Sequence, residues 1–210
     1  MASNENDPPR GGNLYDKYAS KNPIARALFQ GFMASLRDLL PASLDSTSRI
    51  VEVGCGEGHL LNLIHQHYGG RVSCMGYDLD PAVISQAKSL YPHLHFEVKN
   101  VEEITFPENP PELLICCEVL EHVSSPTQAL ERLAAIPCKH YILSVPREPI
   151  WCVLNLLRFK YVSALGNTPG HINHWTQAQF RRLVQEYFSI ERLRAPFPWT
   201  MVLVRRSAIQ

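Results

Sequence analysis

At 210 residues the chain is the size of one ordinary domain, and 45% hydrophobic against 19% charged residues is enough apolar material to bury a core. Lys+Arg and Asp+Glu both number 20, so the net charge is zero, which argues against a protein that grips duplex nucleic acid through its phosphates. No uninterrupted apolar run approaches the roughly 20 residues of a membrane span.

Residues 1–12, polar with Pro8, Pro9, Gly11 and Gly12, read as a disordered lead without the apolar core of a signal peptide. Residues 13–210 read as a single domain. Cys55, Cys74, Cys116, Cys117, Cys138 and Cys152 form no CxxC pair, and several lie in apolar runs. Reduced core thiols in a cytoplasmic protein are the expectation. Asn22-Pro23 has the chemistry of a helix entry, and Ile24, Leu28, Phe32, Leu36 and Leu39 follow at helical spacing until Pro41. Residues 49–53 predict a short strand. A helix then carries Leu60, Leu61, Ile64 and Tyr68, and Gly69-Gly70 ends it.

Residues 71–77 predict a second strand, followed by a helix opened by Asp80-Pro81, with Val83, Ile84, Ala87 and Leu90 on its buried side. Strands over 95–98 and 112–117 come next. Ser125-Pro126 with Gln128 begins a further helix, and residues 140–145 return to strand. This alternation predicts a parallel sheet covered on both faces. After a helix capped by Thr176 and Gln179, runs at 188–193 and 199–204 lie too close for a crossover, so they predict an antiparallel hairpin. The expected fold is α/β: a doubly wound, seven-stranded sheet, mostly parallel, with an antiparallel C-terminal hairpin.

The most informative stretch is Ile50-Val51-Glu52-Val53-Gly54-Cys55-Gly56-Glu57-Gly58, a buried strand running into a glycine turn that opens a helix. Glycines permit φ > 0 and let a ligand approach the backbone closely. A GxGxxG loop would place its third glycine where His59 stands, which disfavours a pyrophosphate and with it a dinucleotide oxidoreductase. Asp78, at the end of the next strand, is placed to accept the two ribose hydroxyls of a nucleoside. Asn100-Val101-Glu102 follows the third strand, where a polar side chain and a backbone amide could meet an adenine edge.

These segments, with Glu118-Val119-Leu120-Glu121-His122-Val123 after the fourth strand, resemble motifs I, II and IV of class I S-adenosylmethionine-dependent methyltransferases. The resemblance covers residues 45–146 well and the remainder loosely. It implies a Rossmann-like fold, S-adenosylmethionine as cofactor, and methyl transfer by in-line displacement. Carried over by position, Gly54, Cys55 and Gly56 would pass under the methionine part of the cofactor, with Glu52 reaching its ammonium. Asp78 would hold the ribose and Leu79 would lie against the adenine. Asn100 would take the adenine amino group, Val101 would offer its backbone to the ring, and Cys117 would lie beside the methionine portion.

The substrate side of such enzymes is the stretch after the fifth strand, here 146–175, expected as irregular chain. It holds Arg147, Trp151, Tyr161, Asn167, His171, His174 and Trp175. His171 and His174 are the candidate catalytic bases, the alternative being that they cap or brace the loop. Tyr15 and Tyr18 are candidates to close over the cofactor. The Glu118-x-x-Glu121-His122 segment resembles small-RNA 2′-O-methyltransferases, which add a histidine four positions before a Trp-Thr pair, where His171 stands. Some ubiquinone-pathway O-methyltransferases pair this motif with a metal, whereas metal-free relatives also carry Glu-His-Val endings. Whether Glu118, Glu121, His122 and His171 bind a divalent ion stays open, as does the oligomeric state. An O or N of a small-molecule or lipid acceptor ranks first, a peptide second and nucleic acid last. The alternatives are a non-catalytic cofactor-binding subunit or a metal-assisted RNA 2′-O-methyltransferase.

Overall fold

The computed structural model describes residues 22–100, 104 and 109–206. The lead at 1–12, Tyr15, Tyr18, Val101 and Glu102 therefore lie outside the described residues.

Four of the helices begin where a side chain supplies an acceptor for their first amides. Asn22 Oδ1 accepts from the N–H groups of Ile24 and Ala25 at 2.9 and 3.4 Å, opening α1 (Pro23–Leu39). Asp80 Oδ1 accepts from Ala82 at 2.8 Å at the head of α3 (Pro81–Leu90). Ser125 Oγ accepts from Gln128 at the head of α4 (Pro126–Ala135). Thr176 and Gln179 form a reciprocal capping box on the last helix, Gln177–Gln185. The helix after the glycine turn, α2 (His59–His67), has no side-chain cap and starts instead from Gly58 in the left-handed region.

Seven strands, β1 (Arg49–Val53), β2 (Ser73–Asp78), β3 (His95–Val98), β4 (Leu113–Cys117), β5 (His140–Pro146), β6 (Phe188–Arg194) and β7 (Trp199–Arg206), form one sheet. Their order is β3-β2-β1-β4-β5-β7-β6. The first five run parallel, whereas β7 enters antiparallel to both β5 and β6. The β1-to-β4 neighbours mark the point where the strand order reverses, and the crevice beyond their C-terminal ends is where open α/β sheets receive ligands.

The period-2 alternation of the strands feeds two cores. Ile50, Leu113, Ile115, Ile142 and Met201 face α1, α2 and α3 through Phe32, Leu36, Leu61 and Ile84. Val51, Leu114, Cys116, Leu143 and Val202 face α4 and the last helix through Leu130, Leu133, Phe180 and Val184. Burial on both faces explains why β4 reads as a continuous apolar run. Among the described residues no helix is long and apolar enough to cross a membrane.

One expectation is corrected. The 146–175 stretch is not irregular throughout: it contains α5 (Ile150–Leu157) and a 3-10 turn over Val162–Ala164. No side chain caps α5 in the usual manner, and its apolar residues lack the amphipathic spacing of a core helix. The carboxylate of Glu148 starts it by accepting from Cys152 N–H at 3.1 Å.

Candidate active site

The glycine turn is held by the strand beside it. The N–H groups of Gly54 and Cys55 both donate to Tyr77 O, at 2.8 and 3.0 Å, so the chain leaving β1 folds over the end of β2. Gly54 has φ +73°, and a Cβ there would lie 2.3 Å from Val119 Cγ2 on the segment leaving β4. A side chain at Gly54 is thus excluded twice, by backbone hand and by space. Asp78 completes the turn: its carboxylate accepts from Gly56 N–H at 2.9 Å and from Asp80 N–H at 3.1 Å. This acidic group, almost fully buried at the C-terminal end of β2, is aimed at the glycine backbone. Leu79 beside it is 65% exposed, an apolar surface held open at the crevice. Asn100 is half-buried just past β3.

Glu52, Cys55 and Cys117 are buried below the turn. Burial pushes both thiols well above the ordinary cysteine value, reinforced at Cys55 by the Glu52 and Asp78 carboxylates. Both sulfurs stay protonated and serve as small packing groups, with no thiolate nucleophile among them.

The segment leaving β4 separates its two glutamates. Glu118 takes φ +60° and is anchored back to the sheet: Ser144 Oγ donates to Oε1 at 3.0 Å and Trp199 Nε1 donates to Oε2 at 2.6 Å. Glu121 is 1% exposed, and its main-chain carbonyl accepts from Ile172 and Asn173 N–H at 2.9 and 3.1 Å. Asn173 Nδ2 donates to the carbonyls of Leu120 and Val123, at 3.1 and 2.7 Å. These bonds staple residues 172 and 173 onto the β4 exit.

The staple brings Glu121, His122 and His171 together, with one ligand atom of each within 4.8 Å of the others. His122 Nδ1 donates to Gly170 O at 3.0 Å, which leaves Nε2 as the acceptor nitrogen facing the cluster. The His122 and His171 rings meet edge to face at 4.8 Å, and Trp151 stacks on His171 at 6.1 Å and 24°. Burial, with the His122 and His174 imidazoles adding to it, pushes His171 down to about 4. Burial also lowers His122, against the upward pull of the Gly170 carbonyl. Both imidazoles are neutral near pH 7. Glu118 is absent from this cluster, because its carboxylate is spent on Ser144 and Trp199.

His174 belongs to a different group. Its Nδ1 lies 3.4 Å from Glu148 Oε1, while the other oxygen of that carboxylate accepts from Cys152 N–H. The imidazole is therefore oriented by a buried carboxylate while its side chain stays partly exposed, the arrangement of a braced proton acceptor. Two residues that sequence spacing did not single out, Glu148 and Asn173, thus place the histidines. Glu148 sits next to a proline and Asn173 between histidines, so neither carried a signal apart from its partners.

A family model described as a methyltransferase domain matches residues 24–187. A trans-aconitate 2-methyltransferase from Methylobacterium nodulans is 32% identical over 43% of this chain, a match spanning 34% of that relative's length. A ubiquinone biosynthesis O-methyltransferase from Alkalilimnicola ehrlichii is 28% identical over 79% of this chain and 73% of its own. In fold, the chain is similar to magnesium protoporphyrin IX methyltransferase from Synechocystis, solved with bound S-adenosylhomocysteine. That match has a TM-score of 0.60 at 18% identity and covers 90% of this chain and 89% of that one.

Proposed function

The chain belongs to the methyltransferase-domain family, with S-adenosylmethionine as its methyl donor, and from that premise we propose that it methylates an oxygen or nitrogen of a small-molecule or lipid acceptor. The residues present suit the donor. The turn at Gly54 admits no Cβ, the buried Asp78 carboxylate would accept the ribose diol, and exposed Leu79 would lie against the adenine. Gly54, Cys55, Gly56 and Glu52 would hold the methionine end, with Asn100 and Cys117 at the flanks. Bound S-adenosylmethionine supplies a methyl group already activated by a sulfonium. The protein's own task is to align the acceptor and exclude water, which can lower a barrier by on the order of 7–11 kcal/mol in favourable cases.

The observation that carries this reading is the convergence of Glu121, His122 and His171 on the β4 exit, the same segment whose Val119 packs on Gly54. His174, oriented by Glu148, is the residue we assign to take the acceptor proton, and it remains partly exposed for that purpose. His171, held neutral and stacked under Trp151, positions the acceptor and joins Glu121 and His122 as a donor set. One buried carboxylate and two neutral imidazoles suit a divalent cation. Such an ion would polarise an acceptor oxygen. Trp151, whose Nε1 donates to Thr168 Oγ1 at 2.9 Å, walls this side of the site from water.

The test is a screen of the purified chain with labelled S-adenosylmethionine against hydroxyl, amine and carboxylate acceptors, run beside His174→Gln. Label should enter hydroxyl or amine acceptors, and the variant should lose roughly 10²–10⁴ in turnover with cofactor affinity unchanged. Labelling of carboxylates alone, or a fully active variant, refutes the assignment.

A further inference from the structure

The helix beside the site is apolar in sequence yet poorly buried. α5 reads Ile-Trp-Cys-Val-Leu-Asn-Leu-Leu, yet its one buried residue is the polar Asn155. Asn155 Nδ2 donates inward to Gly166 O at 2.8 Å and to Thr168 Oγ1 at 3.1 Å, tying the helix to the chain that follows. Ile150, Trp151, Leu154 and Leu156 are partly buried, but the helix and the turn after it still leave several apolar side chains exposed. Leu157 is 72% exposed, Phe159 90% and Leu165 79%, and Val153 and Val162 are about half exposed. Scattered exposed leucines need no explanation, but five exposed apolar side chains between residues 153 and 165 are a concentration that points to an interaction surface. The backbone of this turn is also costly. Phe159, Tyr161 and Leu165 all take left-handed φ near +50°, which non-glycine residues avoid unless the surroundings impose it.

Charge identifies what covers the surface. Between Glu148 and Glu186 the chain has no Asp or Glu, while it carries Arg158, Lys160, Arg181 and Arg182, in a protein of zero net charge. Arg158 and Lys160 flank Phe159, and the Arg158 guanidinium donates to neutral oxygens, Leu154 O and Asn155 Oδ1. We propose that α5 and the turn after it dock on an anionic lipid surface, with Leu157, Phe159 and Leu165 entering the interface and Arg158 and Lys160 meeting headgroup phosphates. Two-fold self-association through the same face would instead bring together two segments that hold no Asp or Glu between 149 and 185, with no carboxylate of that stretch to offset Arg158. Docking also orients the site: Trp151, on the inner side of the same helix, stacks on His171, so an acceptor leaving the bilayer arrives at that histidine.

The test is flotation of the full chain with phosphatidylcholine vesicles, with and without phosphatidylglycerol, a measurement that needs no turnover and so stands apart from the methyl-transfer reading. The chain should float with the anionic vesicles and stay behind with the neutral ones. Leu157→Ser/Phe159→Ser and Arg158→Gln/Lys160→Glu should each weaken partitioning about tenfold or more, and added salt should weaken it further. Affinity for S-adenosylhomocysteine, expected to be unchanged in both variants, ties the loss to the surface. Failure of the unaltered chain to float, equal binding to neutral vesicles, or binding that survives both variants overturns the proposal. A dimer in solution that Phe159→Ser dissociates, with no vesicle binding, overturns it in favour of a subunit interface.

Discussion

Replacing Gly54 by alanine isolates the contact on which the glycine turn depends. The new methyl would stand 2.3 Å from Val119 Cγ2, far inside van der Waals contact, and the residue would have to hold φ +73° with a Cβ. The left-handed backbone costs about 1–2 kcal/mol and the overpacking about 1–3 kcal/mol, so unfolding free energy should fall by about 2–5 kcal/mol. The two contributions separate experimentally. Val119→Ala removes the opposing γ-methyls, and the double variant should be more stable than the sum of the single changes by about 1–3 kcal/mol, leaving only the backbone cost. Urea denaturation of the four proteins with matched m-values measures this, and calorimetry with S-adenosylhomocysteine reports whether the cradle survives. A Gly54→Ala protein within about 0.5 kcal/mol of the parent, or strict additivity with Val119→Ala, would refute the packing argument.

Asp78→Ala should weaken S-adenosylmethionine binding by about 1.5–3 kcal/mol, roughly ten- to a hundredfold, and unchanged calorimetric affinity would remove the ribose assignment. If Glu121, His122 and His171 hold a divalent cation, EDTA should abolish turnover and Mg²⁺ or Mn²⁺ should restore it, with Glu121→Gln no longer rescued; indifference to chelator ends that assignment. Asn155→Ala strips a donor from Gly166 O and Thr168 Oγ1 in a buried setting, and denaturation should show a loss of about 1–3 kcal/mol. Undiminished stability would mean that α5 is held by something other than this side chain.

Helix starts, strand runs and the glycine turn were legible because their causes are local. A cap acts on amides two or three residues away, and a period of 2 or 3.6 is written along the chain itself. Asn22, Asp80, Ser125 and Thr176 all accept where their neighbours in sequence say they should. α5 escaped notice because it is apolar almost throughout, with Asn155 its one polar residue, so its sequence carries no alternation of apolar and polar faces to read as helical spacing.

The division of labour among the acidic and imidazole groups has a different origin. Glu118 and Glu121 are three positions apart and chemically identical, yet one is anchored by Trp199, a residue of the last strand, while the other meets His171. His171 and His174 part in the same way, one pressed under Trp151 and the other drawn to Glu148. Chain order alone settled the sheet and its glycine bend, since those follow from short-range periodicity and backbone freedom, while the donor was implied by the resemblance of the motifs to a known family. Assigning each ionisable group its partner required the folded molecule, because charge and proton affinity depend on distances between segments that lie far apart along the chain.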